Sequence, residues 1–168
     1  MKFARGRHPA VRILVVSDTH GDEGALRRAV QAQPTARTVI HLGDGSREAE
    51  AVAASFPDRT FWQVRGNGDF AVGASDLLYA REETLGGKRL FFTHGHLYGV
   101  KTGLYRVCCA ARERQADVLL FGHTHQPLTD YDDGLYILNP GSLRGRGTYG
   151  LLDITPTGVL LNVVENRR

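Results

Sequence analysis

Apolar and polar positions change period several times along the 168 residues. Val11-Arg12-Ile13-Leu14-Val15-Val16-Ser17 is a β-branched, almost continuous apolar run, the pattern of a buried strand, and it stops at Asp18-Thr19-His20. From Glu23 to about Gln33 the apolar positions Ala25, Leu26, Ala29 and Val30 recur at helical spacing, and Pro34 closes the segment. Strand, polar loop and helix then repeat. Strand Thr38 to Leu42 leads through Gly43-Asp44-Gly45 to a helix from about Ser46 to Ser55, and strand Thr60 to Val64 runs into Arg65-Gly66-Asn67-Gly68-Asp69. This βαβαβ opening implies parallel strands joined by crossover helices.

The second half reads differently. A hairpin of Tyr79 to Leu85 and Lys88 to Thr93 around Gly86-Gly87 leads into His94-Gly95-His96. A helix from about Thr102 to Arg114 and a strand Val118 to Phe121 follow, the strand ending at Gly122-His123-Thr124-His125. Short strands then alternate with turns: Leu128 to Tyr131, Leu135 to Asn139, Tyr149 to Ile154 and Val159 to Glu165, with a loop from Pro140 to Gly147. A mixed two-sheet α/β sandwich with helices outside accounts for both halves. The expected organisation is a basic, flexible arm over residues 1–10 and one domain over 11–168.

Composition narrows the class. With 42% hydrophobic and 23% charged residues the chain has the balance of a soluble globular protein. No apolar run approaches the roughly 20 residues of a membrane span, and the first residues lack an apolar stretch of signal-peptide length. A cytoplasmic location with no membrane partner is the expectation. The net charge of +3 comes from arginines spread along the chain, without the runs or aromatic interleaving of a nucleic-acid groove, so nucleic acid is not supported as a partner. Cys108 and Cys109 are adjacent in a helical segment, so a disulfide between them is not expected. They read as small packing residues, since cysteine-based zinc sites space their thiolates further apart. Oligomeric state is left open, a homo-oligomer included.

Chemistry gathers where strands end. Five times a strand gives way to a short loop carrying Gly, Asp, Asn or His: Asp18-Thr19-His20, Gly43-Asp44, Gly66-Asn67, His94-Gly95-His96 and Gly122-His123-Thr124-His125. The C-terminal ends of strands in open α/β sheets are where ligand sites form. Carboxylate, imidazole and amide oxygen without thiolate suit manganese, iron, zinc or related ions. One such loop is usually a turn or a cap. Five in series, each at a strand end, point to a metal centre.

The order Asp18-x-His20, Gly43-Asp44, Gly66-Asn67, Thr93-His94-Gly95-His96 and Gly122-His123-Thr124-His125 resembles the calcineurin-like metallophosphoesterases. The short chain, the His-Gly-His loop and Asn139-Pro140-Gly141-Ser142 resemble the small bacterial and archaeal phosphodiesterases, a group that includes the Vps29 scaffold. The resemblance implies a four-layer α/β/β/α sandwich and two divalent ions, most simply Mn2+, with Fe, Zn, Ni or Co as alternatives. It implies that Asp18, His20 and His125 hold one ion, that Asn67, His94 and His123 hold the other, and that Asp44 bridges them. The implied reaction is hydrolysis of a small phosphodiester by in-line attack of a metal-bridging hydroxide. A phosphomonoesterase of the same fold and a Vps29-like protein-binding scaffold are the alternatives.

One departure stands out. Many members of the superfamily have His directly after the ligand Asn, and this chain has Gly68. His96 then stands either as a substitute acid or as a supporting or surface residue. Asp69 reads first as a loop cap, with orientation of a neighbouring His as the other option. Arg65, beside the metal loop, is a candidate phosphate contact, whereas Arg144 and Arg146 read as solvated loop arginines that can reach substrate. His41 reads as a packed core histidine or one that supports the ligands, and not as an eighth ligand, and His8 belongs to the arm.

Overall fold

The computed structural model describes residues 8–70 and 73–167, so most of the N-terminal arm lies outside the described residues. His8, Pro9 and Ala10 are exposed and outside regular structure. Ten strands and three α-helices follow in the order β1 (Val11–Val16), α1 (Glu23–Ala32), β2 (Thr38–His41), α2 (Ser46–Ser55), β3 (Thr60–Gln63), β4 (Ala80–Leu85), β5 (Lys88–Thr93), α3 (Tyr105–Glu113), β6 (Val118–Leu120), β7 (Leu128–Asp132), β8 (Leu135–Asn139), β9 (Thr148–Thr155) and β10 (Gly158–Glu165). Short 3-10 turns at Ala74–Asp76 and His96–Tyr98 have no counterpart in the periodicity.

The strands form two five-stranded sheets, ordered β10-β9-β1-β2-β3 and β4-β5-β6-β8-β7. Each mixes parallel and antiparallel pairs. In the first sheet β1, β2 and β3 run parallel, β9 pairs antiparallel with β1, and β10 pairs antiparallel with β9. In the second, β5, β6 and β8 run parallel, and β4 and β7 close the edges antiparallel. The alternation of side chains along each strand assigns the layers. Ile13, Val15, Ile40, Leu90, Phe92, Leu120, Leu138 and Leu152 meet between the sheets. Their neighbours Leu14, Val16 and Val39 face outward against Leu26, Val30 and Val52 of α1 and α2. On the far side Phe91, Leu119 and Ile137 pack against Val107 and Ala111 of α3. Strands β1, β5 and β6 are thus covered on both faces along Ile13–Val16, Leu90–Phe92 and Val118–Leu120, which explains those consecutive apolar residues. The result is the expected α/β/β/α sandwich.

Local chemistry sets the element ends. Asp22 caps α1 by accepting the Ala25 N–H at 2.9 Å, and its other oxygen accepts the Gly145 N–H at 2.9 Å, tying the Pro140–Gly147 loop to the helix. The two-residue turn between β4 and β5 uses Gly86 at φ 58° and Gly87 at φ 78°, the left-handed pair that a tight hairpin turn needs. Helix α3 starts three residues later than its periodicity implies. Thr102 is spent on a turn instead, its N–H and hydroxyl both donating to the Gly99 carbonyl, and Gly103 takes φ 149°. Cys108 and Cys109 are free thiols on α3. No helix among the described residues is long and apolar enough to cross a membrane.

The interface between the sheets sets the stability of everything built on it. Phe92 is fully buried there. Phe92→Ala is expected to cost about 3–5 kcal/mol through lost burial and the cavity left behind. Leu160→Ala, at a side chain 60% exposed on β10, should change stability by no more than about 0.5 kcal/mol. Urea unfolding of the two variants checks the contrast.

Candidate metal centre

The five loops named from the sequence meet at one end of the sandwich. Those after β1, β2 and β3 come from the first sheet, and those after β5 and β6 from the second. Backbone hydrogen bonds interlock them: Asp18 N–H to Gly43 O at 3.0 Å, His20 N–H to Asp44 O at 3.0 Å and Gly122 N–H to His94 O at 3.0 Å. The approach is close enough to demand glycine. A Cβ on Gly43 would lie 2.7 Å from Gly66 N and 2.9 Å from His94 Nδ1.

The backbone is strained at the residues of interest. Among the described residues seven that are not glycine have a positive φ, and five of them are Asp18 (55°), His20 (45°), Asp44 (58°), His123 (67°) and His125 (60°). Such conformations cost energy for a residue with a Cβ, and their concentration at one site points to function and not to chance turns.

Two sets of acceptor atoms converge. Asp18 is fully buried, and its Oδ2 accepts from Ser17 Oγ at 2.5 Å and from the His123 N–H at 3.1 Å. Its Oδ1 is left facing His125 Nε2 at 3.1 Å and His20 Nε2 at 3.4 Å, and those two nitrogens lie 3.2 Å apart. In the second set His94 Nε2 lies 3.0 Å from Asn67 Oδ1, 3.2 Å from His123 Nδ1 and 3.4 Å from Asp44 Oδ2. Asp44 Oδ2 is also 4.0 Å from His20 Nε2, so this carboxylate stands between the sets. Its Oδ1 is occupied by the Gly68 N–H at 2.6 Å. His94 Nδ1 contacts the Leu42 carbonyl at 2.8 Å, which makes that nitrogen the donor and leaves Nε2 with its lone pair directed at the other acceptors. Carboxylate, amide and imidazole groups gathered this closely can share a cation. The donor set fits divalent ions of the manganese-to-zinc series. Asp18, His20 and His125 form one compact three-ligand group, and Asp18, Asp44 and His94 form another.

The electrostatics agree with a cation trap. Burial pushes the Asp44 carboxyl up, but the hydrogen bond and charge of His94 and the Gly68 N–H outweigh it and bring the pKa down to about 2. Burial pushes His94 down, but Asp44 and Asp18 raise it overall. The negative potential that favours a proton on His94 also favours a metal ion. Desolvation, then the charge of His94, depress His123 to about 4, so its ring is neutral at physiological pH, as a ligand must be.

The supporting residues are as informative as the cluster. Asp69 is buried, and its carboxylate accepts four backbone N–H groups: Asp44 at 2.9 Å, Gly45 at 2.9 Å, Ser46 at 3.0 Å and Gly66 at 2.8 Å. It caps the N-terminus of α2, which has no capping side chain of its own, and fastens the Asp44 loop to the Asn67 loop. Burial acts to raise its pKa, yet these N–H groups hold it below the ordinary value. His41 is fully buried, its Nδ1 accepting from the Gly43 N–H at 3.1 Å and its Nε2 bonding Thr19 Oγ1 at 3.1 Å, so it braces the loops and stands outside the cluster. Asn139 donates to Gly122 O and Thr124 Oγ1, and Ser142 Oγ donates to Asp18 O, which gives the Asn-Pro-Gly-Ser stretch a bracing role.

His96 has its ring 5.4 Å from that of His94 and 6.1 Å from that of His123, with a buried Nδ1 that lacks a hydrogen-bond partner. Burial and the neighbouring His94 lower its pKa. Arg65 is not in the cluster. Its guanidinium lies over Tyr79, whose ring meets His96 edge-on at 5.6 Å. Arg144 is exposed, and Arg146 lines a separate cavity with Glu165 and Arg167. Periodicity and motif spacing gave no sign of the bracing by Ser17 or of a cleft of about 310 Å3 that adjoins His20 and Asp44 and includes Arg47 and Phe70.

Fold and cluster together define a two-sheet α/β protein with a candidate metal site of carboxylates, imidazoles and an amide at its strand ends. The chain belongs to the calcineurin-like phosphoesterase superfamily, whose domain matches residues 11–159. It is 36% identical over 135 residues to the probable metallophosphoesterase YsnB of Bacillus subtilis, covering 80% of this chain and 76% of that protein. It is 32% identical over 168 residues to the phosphodiesterase YfcE of Escherichia coli, covering 85% and 88%. The structure of vacuolar protein sorting 29 from Cryptosporidium parvum superposes with a TM-score of 0.78 at 19% identity, over 94% of this chain and 92% of that one, which bears on the fold alone.

The bracing carboxylate can be tested apart from the cluster. In Asp69→Asn the amide oxygen can still accept from some of the four N–H groups, while its NH2 faces the others. Each buried donor left without an acceptor costs about 1–3 kcal/mol, so a loss of at least about 2 kcal/mol is expected at neutral pH. Because the folded-state pKa lies below the ordinary 3.8, this contribution is present in full above the unfolded value. It is lost as pH falls through the folded pKa. Urea unfolding of both proteins at pH 7 and in steps below pH 4 should show the gap between them shrinking only in the acid range.

Proposed function

We propose that this chain is a phosphodiesterase that uses two divalent metal ions, most simply Mn2+. In this reading Asp18, His20 and His125 hold one ion, Asn67, His94 and His123 hold the other, and Asp44 bridges. The observation that carries it is the convergence of two sets of lone pairs, each within 3.4 Å, on either side of the Asp44 carboxylate. The phosphodiesterase name of the Escherichia coli relative supports the reaction class. When bound, a pair of ions supplies an activated water for in-line attack and positive charge at the phosphoryl oxygens.

The chain's own residues then orient and neutralise. Asp18 and Asp44 each use one oxygen to hold the loops and present the other to the cluster. His94 is fixed in orientation by the Leu42 carbonyl. The hydroxyls beside the cluster are engaged elsewhere, Ser17 with Asp18 and Thr19 with His41, which agrees with attack by water and not by a side chain. Arg65 is positioned by Tyr79 to meet a bound anion from the His96 side.

Removal of metal tests the core of this reading. Exhaustive chelation is expected to abolish hydrolysis of bis(4-nitrophenyl) phosphate, and added Mn2+ to restore it, in an assay that also includes 4-nitrophenyl phosphate as the monoester. Full turnover in stripped protein rejects the mechanism. Faster cleavage of the monoester moves the assignment to a phosphomonoesterase.

The leaving group provides a second test. Gly68 offers no imidazole, so the departing oxygen carries much of the developing charge unless His96 supplies a proton. Across a series of aryl diesters the wild-type rate should fall steeply as leaving-group pKa rises. A flat dependence that becomes steep in His96→Ala, at equal metal content, would make His96 the general acid.

A further inference from the structure

The cleft of about 310 Å3 lies between the first turn of α2 and Phe70, and it shares His20 and Asp44 with the cluster. The proposed reaction makes no use of Phe70, yet its side chain is 83% exposed beside the site. The preceding residue, Asp69, is held by four backbone N–H groups, so the ring is presented from an anchored point of the chain.

Charge on the cleft wall is mixed, with the carboxylates of Asp44, Glu48 and Asp69 and the single guanidinium of Arg47. The Asp69 carboxylate is fully engaged, and the Glu48 carboxylate accepts the Gly21 N–H. Arg47 is exposed and makes no ion pair among the described residues. The N–H groups of Gly45 and Ser46 already serve Asp69, so the end of α2 is not a free anion site. The wall thus offers one aromatic face and one exposed guanidinium among polar and acidic groups, directly beside the groups that would hold a phosphate. An alkyl chain laid here would desolvate polar groups without replacing their partners. A planar heteroaromatic ring can stack on Phe70 and keep its polar edges bonded to the wall. The volume is at the lower end of the roughly 300–1,000 Å3 of small-molecule sites, enough for a single nucleoside.

We propose that this cleft binds the base of a nucleotide ester, stacked on Phe70, while the phosphate sits at the cluster. The proposal rests on the phosphodiesterase reading for the phosphate and adds the class of substituent. Stacking of a base on an aromatic side chain is worth on the order of five- to a hundredfold in affinity.

Calorimetric titration of the Mn2+-loaded full chain with AMP and with ribose 5-phosphate isolates the base, since both carry the same sugar phosphate. AMP is expected to bind at least about tenfold more tightly. Phe70→Ala should remove most of that advantage and Phe70→Trp should keep it, with ribose 5-phosphate binding changed by less than about twofold in either variant. Equal binding of the two ligands, or an AMP preference that survives Phe70→Ala, overturns the proposal. Competition by AMP against bis(4-nitrophenyl) phosphate places the nucleotide at the cluster, and absence of competition overturns that placement. A protein that binds AMP through Phe70 but hydrolyses no diester would instead strike the phosphodiesterase reading and leave the base site standing.

Discussion

Four backbone N–H groups from two loops share the carboxylate of Asp69, and the positions of Asp44 and Asn67 depend on that sharing. Without it Asp44 would be a residue of positive φ at the start of an uncapped helix, facing a buried histidine, with little to hold it there. The same logic recurs around Asp18, where Ser17 Oγ and the His123 N–H hold the carboxylate and Ser142 Oγ holds the backbone carbonyl. Hydrogen bonds to charged groups are the stronger kind, and here they are used to hold acceptors against their mutual repulsion.

That repulsion is tolerable only because the surroundings over-determine it. Two mixed sheets with strands buried on both faces supply the rigid frame, and the strained residues sit at its rim. Were cations to bind in this cluster, the close contacts would be relieved, and strain at Asp18, His20, Asp44, His123 and His125 would belong to the binding equilibrium as much as to the fold.

Most of the architecture was legible in the sequence because hydrophobic periodicity records burial. The almost continuous apolar run Val11 to Val16 announced a buried strand, and Gly86-Gly87 announced the hairpin. The five loops could be picked out because they carry chemically distinctive residues at strand ends, and the structure brings them together. The later start of α3 was not legible, because a turn at Thr102 competes with helix through a side-chain hydrogen bond that periodicity does not register. The cap read first for Asp69 is what the structure shows, and the positions of four N–H groups decide it over the orienting role. Phe70 and Arg47 carry no pattern at all, since what distinguishes them is exposure beside a cleft.

The cluster draws its residues from both sheets, and the partners are far apart in the chain: Asp18 and His125 are separated by 107 positions. Contacts of such long range form only after the intervening chain has been gathered, with the loop-closure entropy that this entails. An ion that meets the chain early in folding therefore finds only fragments of a ligand set, and the complete one exists only after the sheets have docked. Ions bound across that seam would also fasten one sheet to the other, so that metal supply and resistance to unfolding become a single linked equilibrium.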